Sequence, residues 1–312
     1  MRKIVATLLI AFLFASCSQS AVRREKPLVA VVMKSLANSF FVTMVDGVTA
    51  DHAKRSGEFS LLLNGTRNEN DLAQQVAIID QMIAMRVDAI VIAPADSKAV
   101  IPALARAMKR GIKVINIDNR LDPAILAQYR IRVPFVGPDN RKGAEKVGSY
   151  AAAKLAPGDE VAIIEGISTA ENSRARRMGL EDAAKAAKLK IVSQQSASWD
   201  QARAAEIAGA LLIRYPNLKA IFAANDSMAL GVASAVTQAG RTIVVTGFDN
   251  VAAVRPLLDR GVIVATADQY GGKLGVFGVD YALKAVRSNS SLPDLETPVD
   301  LVHARPPRAE QE

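Results

Sequence analysis

From Pro27 onward the chain keeps one rhythm, in which short β-rich apolar runs alternate with amphipathic stretches of helical period. The runs are LVAVVM, SLLLN, DAIVIAP and KVINID, then EVAIIEG, KIVSQQSA, AIFAAN, TIVVTGFD and VIVATADQ. In NENDLAQQVAIIDQMIAMRV the residues Leu72, Val76, Ile79 and Ile83 fall on one stripe at helical spacing. Continuous apolar strands separated by such helices predict parallel sheets covered on both faces. The rhythm pauses at RLDPAILAQYRIRVPFVGPDN (120–140) and then resumes, which predicts two successive open α/β units. A length of 312 residues agrees with two domains.

The ends do not share the rhythm. Arg2 and Lys3 precede the apolar run Ile4–Ala15, which closes on small residues before Cys17. This predicts a secretory signal over residues 1–16, since the run is too short to span a bilayer. FASC resembles the lipobox of bacterial lipoproteins, whose cysteine becomes the acylated first residue, although Phe14 stands where leucine is usual. Residues 17–26 then read as a polar tether, and lipid on Cys17 would hold the protein at the membrane of the cell envelope or periplasm. Cys17 is the single cysteine, so an internal disulfide is excluded.

Charge excludes little. Arg2 and Lys3 leave with the signal, so the formal charge falls from +8 to +6. The dense basic cluster SRARRM (173–178) has no interleaved aromatic and reads mostly as solvated helix face, and no nucleic-acid motif accompanies it. His52, His303 and Cys17 do not make a usual zinc site, and no Gly-rich phosphate or dinucleotide loop follows a strand; no metal and no cofactor are expected.

The candidate site lies where the apolar runs end, because loops and helix N-termini converge outside the carboxyl ends of parallel strands. Asn38, Phe40 and Phe41 follow the first run; Asp118, Asn119 and Arg120 follow KVINI; Asn225 and Asp226 follow AIFAA; Phe248, Asp249 and Asn250 follow VVTG; Gln269 follows VIVATAD; and Trp199 with Asp200 ends another. Singly, Asp226, Asp249 and Asn250 could cap helices and the rings could belong to the core. Together they supply aromatic faces for the apolar side of a sugar ring, acceptors, donors and amides for its hydroxyls. Aromatic residues make up only 5% of the chain, which makes adjacent phenylalanines at a strand end informative.

NSFFVTMVDGV, IAPADSKAV, INIDNRLD, FAANDSMALGV, VTGFDN and VATADQ, in that order, resemble the sugar-type periplasmic solute-binding proteins of the ribose-binding kind over nearly the whole mature length. The resemblance implies two Rossmann-like α/β lobes joined by three crossing segments near residues 138, 269 and 300, with the ligand cleft between them, the type I periplasmic-binding fold. It places residues 27–138 and 270–300 in an N-terminal lobe, and 139–269 and 301–312 in a C-terminal lobe. The implied ligand contacts are Asn38, Phe40, Phe41, Asp118, Asn119, Arg174, Trp199, Asn225, Phe248, Asp249 and Gln269, with Arg176 as the alternative to Arg174. Three positions depart from the ribose pattern: Asn119 stands where arginine follows the aspartate, Ala93 replaces asparagine, and Lys34 replaces a small polar residue. A related pentose or hexose is therefore as compatible as ribose.

The implied activity is monosaccharide capture by hinge closure and delivery to an ABC permease, by a monomer that is not an enzyme. A ligand-presenting sensor for a membrane receptor is the alternative. LacI-type repressors share the fold but carry an N-terminal helix-turn-helix, absent here. A glycosidase reading of Asp118 and Asp249 is the weakest, since both serve equally as hydroxyl acceptors.

Overall fold

The computed structural model describes residues 25–288 and 290–304. The expected signal (1–16), Cys17, most of the tether (17–26) and most of the segment 301–312 lie outside the described residues. Among the described residues no helix is long and apolar enough to cross a membrane.

The first half runs β1 (Leu28–Ser35), α1 (Ser39–Lys54), β2 (Ser60–Thr66), α2 (Leu72–Ala84), β3 (Ala89–Ile92), α3 (Ile101–Lys109), β4 (Lys113–Ile117), α4 (Pro123–Gln128) and β5 (Phe135–Pro138). The second runs α5 (Asn140–Ala152), β6 (Glu160–Glu165), α6 (Glu171–Ala186), β7 (Lys190–Ser196), α7 (Gln201–Arg214), β8 (Leu218–Ala223), α8 (Asp226–Gln238), β9 (Val244–Thr246), α9 (Arg255–Asp259) and β10 (Ala265–Asp268). The chain then forms α10 (Gly271–Ser288), β11 (Leu295–Thr297) and β12 (Asp300–His303).

Two six-stranded sheets result, with orders β11-β5-β4-β3-β1-β2 and β12-β10-β9-β8-β6-β7. The first is wholly parallel, and the second has one antiparallel edge, where β12 pairs β10. Chain passages after Pro138, after Asp268 and after Thr297 connect the sheets. The pause in the sequence rhythm contains α4 and β5, two short elements without a resolvable period.

Burial explains why the strands are apolar throughout. Along β1, Val29, Val31 and Met33 face α1 and α10, while Ala30 and Val32 face α2 and α3, so both sides of every residue pair are covered. In the second sheet Val161 and Ile163 pack on Ala144, Val147 and Leu180, and Ala162 and Ile164 pack toward the α7 and α8 side. Helices begin just past strand ends on side-chain caps: Asn38, Asp71, Asp122, Asp139, Asp200 and Asn225 each accept a first-turn N–H.

The inner face of α2 carries a polar exception. Gln75 is fully buried, donates to Ala93 O (2.9 Å) and Met33 O (3.3 Å), and accepts from Ala95 N (2.8 Å). It bridges the diverging ends of β1 and β3, the point where the strand order reverses. Gln75→Leu should cost about 2 to 4 kcal/mol in denaturant unfolding, because buried backbone groups lose their partners. A loss under about 1 kcal/mol would show that those groups find others.

Candidate functional site

The carboxyl ends of both sheets face one another across a closed cleft. Its lining joins Lys34, Asn38, Phe40, Phe41, Glu69 and Asp118 from the first sheet's side to Asn172, Arg176, Trp199, Asn225 and Asp249 from the second, around a small cavity of about 20 Å³.

Two aromatic walls define it. Phe40 and Phe41 lie on the first turn of α1 with centroids 5.2 Å apart, edge to face. Trp199, at φ 67°, approaches from the other side. Its ring lies so close to Gly166 that a Cβ there would come within 2.1 Å of it, so residue 166 has to be glycine for the indole to lie where it does. The Lys34 ammonium sits between the walls, 5.6 Å from the Phe41 centroid and 5.7 Å from that of Trp199.

The polar groups are buried and only partly satisfied. Lys34 Nζ is 3.1 Å from Asp118 Oδ2, both side chains being 2% exposed, but the pair is misaligned for a hydrogen bond and that oxygen remains without one. Asp118 itself has φ 62°, which turns its carboxylate off the end of β4. Asn38 Oδ1 caps Phe40 N (3.0 Å) and Nδ2 donates to Glu69 Oε1 (2.7 Å), leaving Glu69 Oε2 buried and unpartnered. Asn172 Oδ1, Gln269 Oε1 and Trp199 Nε1 are likewise buried without partners. Unmet buried groups are costly, and those of Asp118, Glu69, Asn172 and Trp199, which line one space, call for a polar ligand there.

Arg176 organises the second sheet's half. Its guanidinium donates to Asn140 Oδ1 (2.8 Å), Ala224 O (3.1 Å) and Asp249 Oδ1 (3.4 Å), and lies 3.7 Å from the Phe248 centroid. Gln269 Nε2 donates to the same Asp249 oxygen at 2.7 Å. Burial pushes the Asp249 carboxyl well above the usual range, while the Arg176 charge and the Gln269 donor pull it back. Burial also raises Glu69, opposed by the Lys34 charge and the Asn38 amide.

The structure thus brings Asn38, Phe40, Phe41, Asp118, Trp199, Asn225 and Asp249 to one space. It sets four of the sequence candidates elsewhere. Arg174 is half-exposed, donating to Ser168 O and Thr169 O, so the inward arginine is Arg176. The basic cluster is correspondingly not all solvated face. Asn119 points away from the cleft, donating to Pro94 O (3.0 Å) and accepting from Ser97 Oγ (3.3 Å) and Asn172 N (3.2 Å), so that it ties α6 to the first sheet. Phe248 and Gln269 stand behind Arg176 and Asp249 as supports. Asp249 does not cap a helix, whereas Asn225 caps α8 as well as lining the cleft. Glu69 and Asn172 were not singled out by sequence, and Lys34 appeared there only as a departure. Among the described residues no group of three or more His, Cys, Asp or Glu is placed to hold a metal.

Comparison with known proteins agrees with this geometry. A family model described as the periplasmic binding protein domain matches residues 29–290. The D-ribose/D-allose-binding protein of Pseudomonas aeruginosa is 49% identical over 310 residues, 95% of this chain and 97% of that protein. A solved ABC transporter solute-binding protein from Burkholderia multivorans, with an unknown ligand, is 51% identical with a TM-score of 0.88, covering 89% of this chain and 100% of that one. Another, from Actinobacillus succinogenes with bound D-allose, is 32% identical with a TM-score of 0.84 and covers 89% and 98%. In fold and in sequence, the chain belongs to the periplasmic binding protein family.

Proposed function

We propose that the protein captures one monosaccharide of the ribose or allose configuration in this cleft and presents it to an ABC permease. The observation that carries the reading is the set of unpartnered buried polar atoms between two aromatic walls. Phe41 and Trp199 would cover the faces of the ring, while Asp118, Asn172, Arg176, Asn225 and Asp249 would bond its hydroxyls. The relatives named for D-ribose and D-allose, and the one solved with D-allose, support this ligand class. Residues 27–138 with 270–300, and 139–269 with 301–312, act as the lobes that hinge shut, and sugar favours the closed form because only there does it meet both walls. Export, acylation at Cys17 and delivery to the permease form one scheme, in which the sugar leaves unchanged. Titrating with D-allose and D-ribose, followed by Trp199 fluorescence and calorimetry, should give saturable 1:1 binding. A flat response to both at millimolar concentration would refute the proposal.

D-Allopyranose repeats the ring hydroxyls of D-ribopyranose and adds a hydroxymethyl group. Lys34, a departure from the ribose pattern, supplies a donor and Glu69, which lines the same space, an acceptor, and we assign them to that group. In Glu69→Gln the Asn38 amide keeps its acceptor, which forces an NH₂ into the place of the free Oε2. The D-allose to D-ribose affinity ratio should fall about tenfold, the worth of one buried hydrogen bond. Equal losses for the two sugars would remove Glu69 from the specificity set.

A further inference from the structure

Asp249 owes its place in the cleft to a backbone that few residues adopt. Asp249 has φ 119° and Asn250 φ 54°, so the turn after β9 runs through two left-handed, non-glycine positions in succession. Such a conformation persists only where the surroundings hold it: Asp249 N donates to Ala267 O (2.7 Å), the Asn250 side-chain amide donates to Asp268 Oδ2 (3.1 Å), and a carboxylate one element away holds the amides that follow.

Asp226, at the start of α8, is 0% exposed. Its Oδ2 accepts from Val251 N (2.8 Å) and its Oδ1 accepts from the Thr266 hydroxyl (2.7 Å). With its proton committed to Asp226, the Thr266 oxygen turns a lone pair to Asn250 N, at 3.4 Å. Both amides that follow Asp249 are therefore held, one directly and one through a hydroxyl. The Asp226 amide donates to Phe248 O (2.8 Å), which fixes the turn from its other side. Space is reserved for the carboxylate as well, since a Cβ on Gly247 would come within 2.0 Å of Oδ1. Burial pushes Asp226 up to about 6, against the pull of the Thr266 hydroxyl, the Val251 and Phe248 backbone bonds and the Arg176 charge, while the neighbouring carboxylate of Asp249 is buried beside it. A second buried carboxylate next to a binding carboxylate is unfavourable unless it has work of its own.

We propose that Asp226 is a positioning residue: acting through Thr266, it sets the strained turn that presents Asp249 and thereby fixes the affinity of this half of the cleft. It touches no ligand. The affinity part of the proposal rests on the monosaccharide reading, and the positioning part does not.

The test compares Asp226→Asn, Thr266→Val and Thr266→Ser with the unaltered protein. Hydrogen–deuterium exchange without sugar should show the amides of residues 247–251 exchanging at least about tenfold faster in Asp226→Asn and Thr266→Val, as expected on losing a buried hydrogen bond. The amides of β6 should be unchanged, and Thr266→Ser should behave as the unaltered protein. Calorimetry should show D-allose and D-ribose weakened by the same factor, about 10- to 100-fold, because Asp226 acts on Asp249 and not on Lys34 or Glu69. Unchanged exchange at 247–251, or faster exchange spread evenly through the second sheet, overturns the proposal. If Asp226→Asn does not fold, Thr266→Val decides alone. If the unaltered protein binds neither sugar, the monosaccharide reading fails and the exchange result still decides positioning.

Discussion

Arg176→Ala should weaken D-allose binding about a thousandfold, whereas Arg174→Ala, two residues away on the same helix, should change it less than about threefold. The difference follows from where the two side chains end. Arg176 is 3% exposed at its side chain, pairs with Asp249, and is stacked against Phe248. Removing it strips Asp249 of the cation that, alone among the described residues, lies within ion-pair distance, and breaking one side of a buried pair costs about 3 to 5 kcal/mol. The Asp249 carboxyl, already raised by burial and restrained by the Arg176 charge, would hold its proton to still higher pH and stop serving as a plain acceptor. It also frees Asn140 Oδ1, at the first passage between the sheets, so closure and contact are lost together. Arg174 only braces the loop carbonyls of Ser168 and Thr169 at the surface. Calorimetric titration of both variants, with circular dichroism to verify folding, reads the comparison. Equal losses from the two substitutions would mean that the guanidinium in the cleft is not what holds the ligand.

The Arg174 and Arg176 assignment marks how far sequence reading reaches. Strand ends are legible because a continuous apolar run stops at a polar residue, and the order of those residues along the chain was enough to gather Asp118, Asn225 and Asp249. Helical phase was legible as well. Asn172, Arg176, Leu180 and Ala183 form one inward stripe along α6, and Arg174 falls off it. Motif alignment favours Arg174 with Arg176 as the alternative, and the structure sets Arg176, not Arg174, on the cleft. Other features had no local signal. Asn119 turns from the cleft because Pro94, Ser97 and Asn172 await it, and those partners come from two separate stretches, one of them in the other half of the chain. Glu69 sits in a loop that lines the cleft together with Trp199 of the other sheet's side, and Gln75 is a polar residue at helical spacing with Ile79 and Ile83 whose partners appear only with the crevice between β1 and β3. Lys34 is the sharpest case, since a lysine at a strand end is normally solvent-exposed and this one is enclosed.

Its enclosure makes Asp118→Ala the second substitution with a large expected effect. On the proposed function the alanine removes a hydroxyl acceptor, which costs about 1 to 3 kcal/mol of binding. It also leaves the Lys34 ammonium buried without its counter-charge, a penalty of about 3 to 5 kcal/mol. That penalty falls on the closed form alone, because opening the cleft returns the ammonium to water. Asp118→Ala should therefore bind D-allose at least about a thousandfold more weakly and be more expanded than the unaltered protein by small-angle scattering without sugar. Adding Lys34→Met removes the stranded charge, and a buried pair replaced by apolar groups is close to neutral. The double variant should regain compactness but not affinity, since the acceptor is still missing. The two measurements then separate the electrostatic cost of closure from the contact with ligand, and Lys34→Met alone completes the double-mutant cycle. If Asp118→Ala stays compact and keeps its affinity, the Lys34 to Asp118 pair is neither the closure element nor the hydroxyl site, and the cleft must hold its sugar through the opposite sheet.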